Sequence, residues 1–156
     1  MSHSNPDDKR IIYDELNKLQ IDQLHKATIN ISDNSLETKK LCVAVLSGVV
    51  TILAGINKDK NLSDWIQSVA ILGVLISSLF YIVDSFLWYY QKKLRATMII
   101  EENEIRERHG INKRKEDSMC RGLRWLNAFF NGSQTMYYGL ILFSGIIWYL
   151  SSKGRI

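Results

Sequence analysis

The chain has 156 residues, a formal net charge of +4 and 46% hydrophobic residues, enough for one domain or one small membrane module. One proline and nine glycines exclude a linker or a disordered tail. The apolar residues collect in three blocks between polar stretches, so a near-zero mean hydropathy conceals segments of membrane character.

In the first segment, "KRIIYDELNKLQIDQLHKATINI" (9–31), Ile12, Leu16 and Leu19 share one face, which Leu24, Ala27 and Ile31 continue. That pattern predicts an amphipathic helix starting after Pro6, Asp7 and Asp8. Ser32, Asp33, Asn34 and Ser35 are capping-type residues and are expected to interrupt it. The first apolar block, "LCVAVLSGVVTILAGI" (41–56), carries no charge and covers about 24 Å as a helix. Lys39 and Lys40 are expected to reach the headgroups and complete the span. A long polar segment precedes it and no cleavage pattern follows, which argues against a secretory signal.

"NKDKNLSD" is short enough only for a hairpin turn, so the next span runs antiparallel. This second block extends from Trp65 to about Tyr90, with "IQSVAILGVLISSLFYIV" uncharged throughout. Trp65 marks one interface and Trp88, Tyr89 and Tyr90 the other. The helix is predicted to continue through "QKKLRATMIIEENEIRERHG" and stop at Gly110. There Leu94, Met98 and Ile105 form a face expected to pack on the N-terminal helix, with Glu101, Glu102, Glu104 and Glu107 elsewhere. "INKRKEDSMCRGLR" reads as a basic turn, and Trp125, Leu126, Phe129 and Phe130 as an interfacial helix. The third block, "MYYGLILFSGIIWYL" (136–150), spans about 30 Å when counted from Ser133 to Ser152.

The predicted fold is therefore an all-α membrane protein with three transmembrane helices, an N-terminal amphipathic helix and a cytoplasmic extension of the second span. Its divisions are a cytoplasmic helix (1–36), a two-span hairpin (37–90), a cytoplasmic helix with a basic, interfacial loop (91–132), and the third span with a short tail (133–156). Lys and Arg number six in residues 1–40 and ten in 91–124, against two in the hairpin and two in the tail. The positive-inside rule then places the N-terminus and the long loop of this multi-pass protein in the cytoplasm, with the C-terminus outside.

No glycine-rich phosphate loop, G-x-S-x-G, H-E-x-x-H or acid–base–nucleophile set appears, so no catalytic residue and no enzyme is expected. Cys42 and Cys120 make no disulfide framework, and His3, His25 and His109 have no acid or thiol at ligand spacing. Neither a metal nor a cofactor is expected. The cations, including Lys92, Lys93 and Arg95, are membrane-proximal and suit anionic lipid; nucleic acid is not an expected partner.

One polar stripe interrupts the apolar second span. Gly73, Ser77, Asp84 and Gln91 fall within about 40° of one another on the helix surface. Ser47, Thr51 and Gly55 in the first span, and Gly139, Ser144 and Gly145 in the third, are small residues that let helices approach closely in lipid. Asp84 has two readings. It is an interfacial carboxylate that hydrates and pairs with Lys92 or Arg95, or it belongs with Gln91 to a cation path or its switch. A single three-helix protomer has no room for an aqueous path, so conduction would require a homo-oligomer.

Asp84, the aromatics Trp88 to Tyr90, Lys92 and Arg95, followed by "WLNAFF" and "MYYGLILF", together resemble the plan of SLATT-type effectors. These are small bacterial membrane proteins found beside nucleotide-signalling and other anti-phage systems. Gln91 stands where that plan carries a glutamate. The resemblance implies a pore-forming or membrane-permeabilising effector of antiviral defence, with the lipid bilayer as partner and a cytoplasmic protein or nucleotide signal as trigger. The alternative is a non-conducting anchor or accessory subunit that recruits a soluble partner. A small ion transporter is a weaker third reading.

Overall fold

The computed structural model describes residues 6–56, 62–115 and 126–153. Three helices dominate: α1 (Pro6–Ile56), α2 (Leu62–Arg108) and α3 (Thr135–Ser152), the last entered through a 3-10 turn at Gly132–Gln134. No strand occurs among the described residues. At 1.5 Å per residue, α1 and α2 are about 76 and 70 Å long. They run antiparallel, since Asp14 meets Arg108 while Ser35 meets Asp84. α3 packs against the apolar half of α2, which is therefore the central helix.

On α1 the shielded residues are Asp14, Asn17, Ile21, Leu24, Thr28, Ile31 and Ser35, spaced alternately by three and four. This 3.5-residue period is that of a left-handed coiled coil. It corrects two expectations. α1 runs unbroken through Ser32–Ser35, because α2 supports it laterally and Ser35 bonds across to Asp84 rather than capping. The N-terminal segment is therefore no separate amphipathic helix. Ile12, Leu16 and Leu19 do not face α2 either: each is more than half exposed. The seam is mixed: Leu24, Ala27 and Ile31 are half-buried there as expected, beside Ile21 and the buried polar Asn17, Thr28 and Ser35, and at its edge Gln20 donates to Glu101 at 2.8 Å. The glutamates were expected elsewhere; Glu101 lies at the contact, alongside half-buried Leu94, Met98 and Ile105.

The stop at Gly110 is borne out. Ile111 N–H bonds Arg106 carbonyl at 2.8 Å and Gly110 N–H bonds Glu107 carbonyl at 3.2 Å, with φ +66° at Gly110. This is a Schellman closure, which needs a residue without Cβ strain at the left-handed position. Asn103 and Arg114 then exchange two bonds, 2.9 and 2.7 Å, folding residues 111–115 back on α2. Residues 126–129 are helical, with Leu126 and Phe130 exposed and Phe129 against Tyr81, ring centroids 5.7 Å apart. The hairpin residues 57–61, most of the basic turn, Cys120, Trp125 and His3 lie outside the described residues.

Two helices, α1 and α2, contain segments long and apolar enough to cross a membrane, and only 6% and 17% of those segments is buried within the chain. A soluble bundle would turn such residues inward. Here Ile52, Leu75, Leu79, Leu142 and Phe143 are all 60% or more exposed. The interior of the same half holds polar groups as well as apolar ones: Ser77, Asp84, Ser85 and Gln134 are fully buried, together with Cys42 and Tyr137. Large apolar residues facing outward around buried polar groups are the arrangement that hydrocarbon-solvated helices adopt.

Candidate functional site

The α1–α2 seam stacks polar layers seven residues apart. Gln91 Nε2 donates to the Thr28 carbonyl at 3.4 Å, Ser35 donates to Asp84, and the same register sets Cys42 level with Ser77. All six side chains are buried. Because the spacing is a whole heptad on both helices, each layer returns to the same side of the coil.

The Asp84 layer is the charged one. Asp84 is completely buried; Ser35 Oγ donates to Oδ1, and Lys39 Nζ lies 3.3 Å from Oδ2. Lys39 also donates to Ser35 Oγ at 3.2 Å and to Ser133 Oγ at 2.7 Å. One ammonium thus joins α1, α2 and the turn that starts α3. The carboxylate is paired, as one reading of the sequence held, but the partner is Lys39 on the neighbouring helix, and no water reaches it. Arg95 and Lys92 lie further along α2 and point elsewhere: Lys92 sits 5.9 Å over the Trp88 ring, while Lys93 and Arg95 are exposed. Lys39 does not extend to headgroups as expected; its side chain is 18% exposed and committed to Asp84. Lys40 instead pairs with Glu37 at 2.7 Å on the outer surface.

Beside this pair are groups that sequence reasoning missed. Gln134 and Tyr137 are completely buried. Both amide atoms of Gln134, the Tyr137 hydroxyl and the Ser77 hydroxyl have no hydrogen-bond partner among the described residues. An unsatisfied buried polar group costs about 1–3 kcal/mol, so this packing is held at some expense. Two cavities open along the α1–α2 contact. One of about 620 Å³ between α1 and α2 is bordered by His25, Thr28, Gln91, Arg95 and Met98. Another of about 300 Å³ shares Ser32, Asp33 and Gln91 with it and reaches Ser35, Lys39 and Trp88. Both open onto the two-helix arm formed by residues 9–35 of α1 and 84–108 of α2, and the smaller one borders Lys39.

Gly73, Ser77, Asp84 and Gln91 are all buried inside the protomer, but they meet different neighbours. A Cβ on Gly73 would lie 2.6 Å from Ser144 Oγ, so this glycine permits the close approach of α3 to α2. The other small residues are not brought together. Ser47 and Thr51 are exposed and bond back to Val43 and Ser47 carbonyls at 2.8 and 2.9 Å. A Cβ on Gly55, Gly139 or Gly145 would meet nothing within 4 Å among the described residues.

At the far end of the arm, Asp14 accepts from His109 Nε2 at 2.5 Å and faces Arg108 Nε at 3.0 Å. The hydrogen bond from His109, with His109 and Arg108 beside it, holds its carboxyl below the usual carboxylate range. Glu102 is lowered likewise, chiefly by its bond from Arg106. Among the described residues no cluster of His, Cys, Asp and Glu side chains suits a metal ion. Comparison with family models, curated proteins and solved structures finds no match.

Proposed function

We propose that the chain is an inner-membrane protein with three crossings and a cytoplasmic N-terminus, which acts as a homo-oligomeric, membrane-permeabilising effector of anti-phage defence. The observation that carries this reading is the buried Lys39–Asp84 pair, which ties all three helices together at one edge of the apolar half. From Trp65 to Asp84 α2 rises about 30 Å, the thickness of a hydrocarbon core, so the pair sits at the inner edge of the bilayer. Buried ion pairs return little net stability but are strongly disruptive when one partner is lost. Such a pair works as a latch: while closed it holds the helices together, and opening it admits water among groups that already lack partners.

Induced expression should depolarise cells, and Asp84→Ala and Gly73→Leu should change that effect. A chain that runs strictly as a monomer in mild detergent, or that leaves the membrane potential untouched in every variant, would overturn the reading. The anchor reading draws on the exposed apolar residues of the arm; a stable co-purifying soluble partner without any depolarisation would favour it.

A further inference from the structure

α1 and α3 each pack on α2, and the space between them is filled differently in the two halves of the proposed span. Near the inner edge Lys39 donates to Ser133 Oγ at 2.7 Å, and fully buried Gln134 and Tyr137 occupy the interior. Toward the outer edge a half-open apolar cavity of about 420 Å³ takes their place. It is lined by Leu46 and Val50 of α1, Ala70 and Gly73 of α2, and Leu140 and Phe143 of α3.

Helices in lipid are held by packing, and the walls of a void forfeit dispersion contacts until something fills it. The dimensions decide what can. A helix is about 10–12 Å across, so this volume would admit only about 4–5 Å of one, less than a turn. Neither a second copy's span nor a partner's can enter. From Trp65 to Gly73 α2 rises about 12 Å, close to the roughly 15 Å of one leaflet's hydrocarbon. At Gly73, near mid-membrane, α2 and α3 meet, since a Cβ there would lie 2.6 Å from Ser144 Oγ. Trp65 borders the other end, and its indole N–H has no acceptor among the described residues. An interfacial Trp lies level with the headgroups, and its N–H ordinarily finds a partner. The matching occupant is thin, apolar, one leaflet long and ends in a carbonyl.

We propose that this cavity holds one acyl chain of a phospholipid, in the outer half of the bilayer, as a fixed part of the packing between α1 and α3. The proposal rests on the membrane reading above and adds a ligand class to it. The test is native mass spectrometry of the full chain, purified from membranes in mild detergent. One phospholipid per chain should remain bound. Val50→Trp, at an exposed position on the cavity wall, and Ala70→Leu, on its floor, should each lose that mass with helicity unchanged. Leu79→Trp, 62% exposed on α2 and not lining the cavity, should keep it. Membrane-derived chain without phospholipid, a free fatty acid in its place, or equal retention by the two filled variants overturns the site and leaves the membrane reading standing. Protein recovered in the soluble fraction overturns both.

Discussion

Removing Lys39 should harm the protein more than removing Asp84, although each removes the same ion pair. At 3.3 Å and an effective dielectric near 20, the attraction is about 5 kcal/mol before desolvation is subtracted. Lys39→Met strands a carboxylate with no exposure, and losing one partner of a buried pair costs about 3–5 kcal/mol unless the survivor neutralises. Asp84→Leu frees a lysine that is already partly exposed and can extend to the headgroups, so the loss is about 1–2 kcal/mol. The double variant should lie within about 2 kcal/mol of the parent, because an apolar pair replaces an ionic one. The assay is a double-mutant cycle by thermal or denaturant unfolding in bicelles, followed by helicity. A coupling energy of at least about 2 kcal/mol is expected. Additive losses, or a larger loss for Asp84→Leu, would refute the argument.

Gly73→Leu should push α3 from α2 and cost about 1–3 kcal/mol in the same unfolding assay, and Ser144→Gly should recover part of it. Gly110→Ala should cost about 1 kcal/mol, because the left-handed closure strains any Cβ. Asp14 has a depressed folded-state pKa, so its contact contributes stability above its ordinary value of 3.8 and loses it as pH falls through the lowered value. Amide protection factors in residues 9–20, corrected for the intrinsic exchange rate at each pH, should therefore be high at neutral pH and fall in strong acid, and should be low at both in Asp14→Ala. A reporter fused after Ile156 should be active only outside the cytoplasm; activity inside would remove the third crossing.

The stripe on α2 was legible because glycine, serine, aspartate and glutamine stand out at helical spacing within an apolar run. Its partners on α1 were equally regular, since Thr28, Ser35 and Cys42 repeat every seven residues. An apolar face is what an amphipathic helix is read for, which finds Leu24, Ala27 and Ile31 but passes over the polar half of a mixed seam. Where lipid is the surrounding medium that rule inverts, and the greasy residues face out. Lys39 was assigned to headgroups because it borders a span, a placement that ignores what the neighbouring helix holds at the same level. Arg95 lines up with Asp84 on one helix but lies about 16 Å along it, too far for a pair. Gln134 and Tyr137 carried a faint signal: an amide at the start of an apolar block is expensive unless the helix packs there.

The central claim is that lipid solvates the exposed apolar residues of α1, α2 and α3. Single cysteines at Ile52, Leu75, Leu79 and Phe143, probed with a membrane-impermeant maleimide in intact cells and in inverted vesicles, test it most directly. The account predicts no labelling from either side and full labelling once detergent is added and the chain denatured. Rapid labelling of these positions without detergent, from whichever side, would contradict it.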